Sequence, residues 1–228
     1  MATAYTKFYT MIKNMPIWVK QVLYYSLQKD IEENIQQNIQ LINKEDLLQF
    51  YIPERTFRGD KELKDQYYKL QENQYIFLEC CDGETDMATI AINNNWSLTD
   101  VAKFLVELIN IEFLERPGSD LMYNLASFLC GNLRLGEYCK RIDKIGIDAI
   151  AEALNHQTKL KKMGQEKGIA DILVDMNFLS AKERDEILMV KEDSARVFRV
   201  SGEADAKMLA ALKAQNAALK EQLKKYKR

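Results

Sequence analysis

Residues 133–188 write one helical unit twice, and that repetition limits what the chain can fold into more than any other feature. The first copy begins Arg134-Leu135-Gly136-Glu137 and runs through Ile145, Ile150, Ala153 and Leu154 to Gln157. The second begins Gly168-Ile169-Ala170-Asp171 and runs through Phe178, Leu179 and Ser180 to Ile187 and Leu188. With Arg134 set against Gly168, Leu135 falls on Ile169, Gly136 on Ala170, Glu137 on Asp171, Ile145 on Leu179, and Ala153-Leu154 on Ile187-Leu188. A short apolar helix, a turn and a second helix, repeated every 34 residues, is the pattern of a small helical repeat whose units bury their apolar faces on each other. It predicts a mainly α fold.

The motif RLG-E followed by L-x-x-A-L-x-x-Q resembles the N-terminal domain of type II secretion and type IV pilus assembly ATPases, over residues 133–191. The ATPase domain itself has no counterpart in this chain. MshE-type members of that family bind cyclic di-GMP through the Arg-Leu-Gly segment and apolar positions on both helices. The resemblance carries that role onto Arg134, Leu135, Gly136, Leu154 and Gln157. Several positions depart from the family pattern. Cys139 stands for a Leu, Asp143 and Asn177 for the turn Gly, Gly168 for the basic residue of the second copy, and Ala170 for its Gly. The second copy therefore lacks an arginine for a phosphate. Asn177 still suits a left-handed helix end. The resemblance implies a fold first and a cyclic dinucleotide second, and no other cofactor is expected.

Upstream, residues 75–115 read as helix, turn, helix and short apolar strand, which resembles a winged helix. Asp82-Gly83 marks a turn. Thr85–Ile92 forms a short helix broken at Asn93-Asn94-Asn95. Ser97-Leu98-Thr99-Asp100 is a capping box with Asp in the third helical position. The helix it opens carries Val101, Phe104, Leu105 and Leu108 on one face, and Ile111, Phe113 and Leu114 follow as a strand. Winged helices often bind DNA, but residues 76–115 hold eight acidic side chains and one basic one, Lys103. Phosphate contact runs on Lys and Arg, so nucleic acid is a disfavoured partner and a transcription regulator a lesser alternative.

The start of the chain is read as amphipathic helix. Tyr5, Phe8, Tyr9 and Ile12 are at helical spacing, Pro16 interrupts, and Ile17, Val19, Val22, Leu23, Leu27, Ile31 and Ile35 continue an apolar stripe. Leu41–Leu48 echoes Phe178–Glu183 as a decayed third unit, with Asn43 and Ser180 as N-caps. Residues 53–59 read as a connector with solvated Arg55 and Arg58. Lys61–Glu72 reads as a helix with Leu63, Tyr67 and Leu70 inward. Arg116-Pro117-Gly118-Ser119 is the clearest boundary, leading to a helix that buries Leu121, Leu125, Phe128 and Leu129. The expected organisation is a helical N-terminal region (1–59), a winged-helix-like domain (60–118), the helical repeat (119–198) and a C-terminal coiled coil (205–228), with 193–204 a linker.

That last segment places Leu209, Leu212, Asn216, Leu219, Leu223 and Tyr226 at alternating a and d positions of a heptad. A lone Asn at an a position sets parallel two-stranded register. Lys213, Lys220 and Lys227 fall at e and meet Gln215 and Gln222 at g, which leaves both homo- and heterodimers open. Residues 207–228 carry seven basic side chains and one acidic one, Glu221, so attraction to the acidic middle, to a partner, or peripherally to anionic lipid is expected.

Four cysteines (Cys80, Cys81, Cys130, Cys139) without a CxxC, and a single histidine, His156, argue against a zinc site and for free thiols in a reducing cytosol. No apolar run has the length of a membrane span, and residues 1–13 lack the layout of a signal peptide. A cytoplasmic location is expected. No phosphate loop, dinucleotide fingerprint or nucleophile elbow occurs. The chain is therefore expected to be no enzyme but an adaptor or scaffold with protein partners, itself included. By resemblance its machine would be a pilus, secretion or flagellar apparatus, and the alternative is a cyclic di-GMP-responsive regulator.

Overall fold

A computed structural model describes residues 11–23 and 48–198. The fold is mainly helical. After a 3-10 turn at Leu48–Phe50 come α1 (Phe57–Asp65), α2 (Glu72–Cys80), α3 (Met87–Asn94), α4 (Leu98–Asn110), α5 (Asp120–Leu129), α6 (Leu135–Arg141), α7 (Ile147–Lys162), α8 (Ile169–Asp175) and α9 (Ala181–Ser194). Residues 11–14 and 17–23 are also helical. The other expectations for residues 1–10 and 24–47, and the coil residues Leu209, Leu212, Asn216, Leu219, Leu223 and Tyr226, lie outside the described residues.

The central element is α4, on which α2, α3 and α5 pack and which α9 reaches. Its position follows from its sequence. Ser97 caps its first turn and Asp100 reaches back to the Ser97 amide, while Val101, Phe104, Leu105 and Leu108 are all buried. Trp96 meets Phe104 edge to face at 5.0 Å. Buried side chains on both sides of residues 116–119, such as Leu108 and Met122, belong to one hydrophobic cluster.

Five helix ends close in one way. A residue in the left-handed region ends the helix, and the amide after it donates to a carbonyl five residues back. The left-handed residues are Asn95, Glu112, Asp143, Gly164 and Asn177, with φ of 56°, 63°, 54°, 75° and 59°. The closing bonds run from Trp96 to Ala91, Phe113 to Leu108, Lys144 to Cys139, Gln165 to Leu160 and Phe178 to Leu173, each between 2.9 and 3.0 Å. This is the Schellman arrangement, which satisfies carbonyls that a helix end leaves open.

That closure overturns the strand expected at Ile111–Leu114. The chain turns sharply at Glu112 and drops Phe113 and Leu114 into the core, at 1% and 2% exposure. The only ladder contact this segment makes among the described residues is an isolated bridge between Leu114 and Arg55. An apolar run at a helix end is satisfied by burial as well as by pairing, and periodicity alone does not separate the two.

Four further corrections concern the chain's ends and its connector. The helix expected at Lys61–Glu72 starts earlier and ends at Asp65, because Thr56 caps it by accepting from the Gly59 amide, and Tyr67 is exposed. Arg55 is not solvated. It donates to the carbonyls of Leu78 and Glu79 at 3.2 and 3.0 Å and pairs with Asp60, a cation on the end of α2 where open carbonyls favour it. Arg58, by contrast, is exposed as expected, with its guanidinium over the rings of Tyr68 and Phe113 and paired with Glu112. Ile17 is half exposed, and the buried contacts of that segment come from Met15, Trp18 and Val19. Asp193, expected in a linker, is a buried part of α9.

Candidate functional site

The turns after α6 and α8, at matching places in the expected repeat, share one backbone hydrogen-bond pattern. Helices α6 and α8 each have seven residues. After α6 the amides of Ile142, Asp143, Lys144 and Ile145 donate to Tyr138, Lys140, Cys139 and Cys139. After α8 those of Met176, Asn177, Phe178 and Leu179 donate to Ile172, Val174, Leu173 and Leu173. Every donor and acceptor is displaced by the same 34 residues that the sequence alignment uses. Asp143 and Asn177 take the left-handed position usually given to Gly, as short polar side chains can. Cys139 and Leu173, fully buried, fill the matching core site, and Ile145 and Leu179 the next.

The two copies touch through α8, which packs on α6, α7 and α9. Ion pairs finish the junction. Lys144 in the first turn meets Glu183 at 2.8 Å, and Arg184 meets Asp171 at 2.8 Å. Glu183 is also the second half of the capping box opened by Ser180. The Lys144 ammonium, helped by the Ser180 amide and hydroxyl, holds the Glu183 carboxyl down at about 2. A depressed carboxylate stabilises the fold above its unfolded value near 4.3 and stops doing so as pH falls through about 2. Glu183→Gln is accordingly expected to flatten the loss of thermal stability between pH ~4.3 and 2. Melting curves across that window that coincide for the two proteins would remove this account.

The residues matched to the dinucleotide-binding pattern are arranged as follows. Arg134 is the N-cap of α6, exposed, and its side chain has no hydrogen bond or ion pair among the described residues. Leu135 and Gly136 are buried in the first turn. A Cβ on Gly136 would meet Ile150 at 3.6 Å, ordinary contact, so packing does not require glycine there, and Ala170 stands at the equivalent place. Leu154 is 48% exposed on α7. The Gln157 amide is already engaged, donating to the Lys167 carbonyl at 2.9 Å. In the second copy, Asp171 is committed to Arg184.

A second feature was not legible as a site. Leu125, Phe128, Tyr138, Ile187 and Val190 line a shallow groove of about 130 Å³ between α5, α6 and α9, with Glu186 as its charged member. Tyr138 stacks on Phe128 at 4.4 Å, and the Lys191 ammonium lies 4.9 Å from the Phe128 ring centre. Phe128 is core, as its helical spacing predicts, at 2% exposure, whereas Leu125 is only partly buried and Leu121 is 38% exposed, since helical spacing does not tell a covered side chain from one left at a groove. A larger cavity of about 490 Å³ lies between residues 50–52 and 117–122. Tyr51 there is pushed up to about 12, first by burial and then by Cys81, Glu115 and Glu54, so its phenol stays neutral.

Burial pushes the thiols of Cys80, Cys81, Cys130 and Cys139 up, away from the thiolate a nucleophile needs. His156 is exposed on α7. Among the described residues no three His, Cys, Asp or Glu side chains gather as a metal site, and no helix is long and apolar enough to cross a membrane. No family model, curated protein or solved structure matches this chain.

Proposed function

We propose that this chain is a non-enzymatic adaptor that works by protein–protein contact, with residues 209–226 as a coil joining it to a second copy or to a partner. The observation that carries the reading is where the apolar surface lies. On α7, at its C-cap and on α9, Ile147, Leu154, Met163, Leu188, Met189 and Val190 are each 43–67% exposed. A folded body that leaves this many large apolar side chains in water on the second helix of each repeat unit has surface suited to another macromolecule. The raised thiols support the absence of a cysteine-based reaction. By the resemblance of residues 133–191, the assembly would be a pilus, secretion or flagellar-type machine in the cytoplasm.

Leu219→Asp, which puts a charge in the middle of the heptad seam, is expected to halve the mass of a self-associating chain in light scattering. Removing residues 205–228 should in addition strip specific partners from a pull-down out of the native cell. A mass and a partner set that both survive these changes would reject the coil.

Cyclic di-GMP responsiveness is the second reading, favoured by the unpaired guanidinium of Arg134 and the exposure of Leu154. Titration calorimetry with cyclic di-GMP should then give heat that Arg134→Ala abolishes. No heat at millimolar ligand would dispose of it.

A further inference from the structure

We propose that the outward face of α7 is a docking surface for a second copy of this chain, the two α7 helices lying antiparallel about a two-fold axis near Asn155. This rests on the adaptor reading and deepens it, because it names the occupant of one part of the exposed apolar surface.

Helix α7 has 16 residues, of which Ala153 alone is fully buried. Its length is about 24 Å. On the side turned to solvent, Ile147, Ala151, Leu154 and Thr158 recur at steps of four, three and four, which sets them in one stripe. All four are exposed, Ile147 at 59% and Leu154 at 48%. The Thr158 hydroxyl donates to the Leu154 carbonyl at 2.9 Å, so the stripe satisfies its one polar side chain within the helix. Ala151 and Thr158 are small enough to let a second helix approach between the larger residues.

Along one edge of this stripe run Asp148, Glu152, Asn155, Lys159 and Lys162, all exposed. Charge is sorted on that edge, with acid in the first half and base in the second. Asp148 and Glu152 are four residues apart, and Lys159 and Lys162 three, spacings at which like charges repel within a helix. None of these four makes an ion pair among the described residues. The helix macrodipole favours Asp148 and the lysines, which lie in the terminal turns. It does not reach Glu152, and it gives no reason for Ile147 and Leu154 to face water. At the positions 34 residues on, α9 has no such unspent edge: Lys182 and Glu186 pair with each other at 3.7 Å, and Asp193 is buried.

A two-fold axis across the face resolves the sorting. It lays the acidic half of each edge on the basic half of the other, with Asp148 opposite Lys162, Glu152 opposite Lys159 and Ala151 opposite Thr158. In such an isologous contact every pair is made twice. The surface is thus complementary to itself in charge as well as in apolar character.

The test is sedimentation equilibrium of the full chain, with Leu219→Asp present throughout so that the coil does not hold two copies together. One helix pair is a small interface, so association is followed up to about 1 mM protein. The Leu219→Asp parent should pass from monomer to dimer in that range. Lys159→Glu with Lys162→Glu makes the edge wholly acidic, and Asp148→Lys with Glu152→Lys makes it wholly basic. Each double variant alone should dimerise at least tenfold more weakly than the parent. An equal mixture of the two should associate at least as strongly as the parent, because an acidic edge then meets a basic one. Mixing does not repair a helix weakened through its dipole, so the mixture decides even where a variant loses stability. Double variants that dimerise like the parent, or a mixture that associates no better than its components, would overturn the proposal. So would a Leu219→Asp parent that stays monomeric, which leaves the face to a different protein. If the unsubstituted chain then has twice that mass, the coil and the adaptor reading stand without this contact.

Discussion

Gly59→Ala is expected to destabilise the protein by roughly 3 kcal/mol, the upper range for forcing extra volume into a packed site. Helix propensity predicts the opposite sign, because alanine in a helix interior is favoured over glycine by about 1 kcal/mol. Gly59 lies in the first turn of α1 and is buried. A Cβ there would stand 2.1 Å from the carbonyl oxygen of Phe113 and 3.1 Å from its carbon. The obstacle is backbone, so no rotamer change relieves it. Phe113 is itself fixed by the closing bond to Leu108 and by burial, and its carbonyl accepts from the Thr56 amide at 3.1 Å. The Thr56 hydroxyl donates to the Glu112 carbonyl at 2.7 Å, so α1 would have to lift off the end of α4 and take Arg55 with it. Urea denaturation checks the sign, and a Gly59→Ala protein as stable as its parent would show that α1 does not rest on that turn.

The signals that sequence reading placed well span few residues. Ser97 with Asp100 and Ser180 with Glu183 make their capping boxes across three positions. Asn95 and Asn177 end helices because a short amide tolerates a left-handed backbone. The repeat was visible because its turns depend on residues adjacent in the chain. The details that escaped depend on distant partners. Arg55 looks like any loop arginine until α2, 23 residues on, presents its carbonyls. Gly59 looks like a linker glycine until Phe113 arrives against it. In the candidate site, Arg134 and Leu154 could be named from a motif, but whether they are free or spent is a property of their neighbours. Gln157 shows the difference, since its amide is taken by Lys167. Tyr138 and Val190 carried no signal at all, because a groove exists only where three helices stop short of one another.

Asp193→Ala is expected to release the N-terminal segment and to cost about 2 kcal/mol, the value of a charged cap at a helix start. The Asp193 carboxylate accepts from the amides of Ile17 at 2.8 Å and Trp18 at 3.4 Å. These are the first amides of the helical stretch that follows Pro16, and they have no partner within their own helix. Helix caps ordinarily come from the residue just before the helix; this one comes from 176 positions away. The same carboxylate pairs with Arg196 at 3.1 Å, whose carbonyl accepts from the Trp18 indole at 3.4 Å and whose guanidinium reaches the Asn14 carbonyl at 3.3 Å. With Trp18 and Val19 at 2% and 3% exposure, the end of α9 is stitched to the start of the chain by polar bonds around an apolar anchor. Asp193→Asn keeps an acceptor and loses the charge, so it should fall between parent and alanine. Hydrogen exchange of residues 15–23 reports the release directly: their protection should drop in Asp193→Ala while that of α4 holds. If both regions lose protection together, the N-terminal segment belongs to the global unfolding unit. If neither does, the carboxylate is not what holds it.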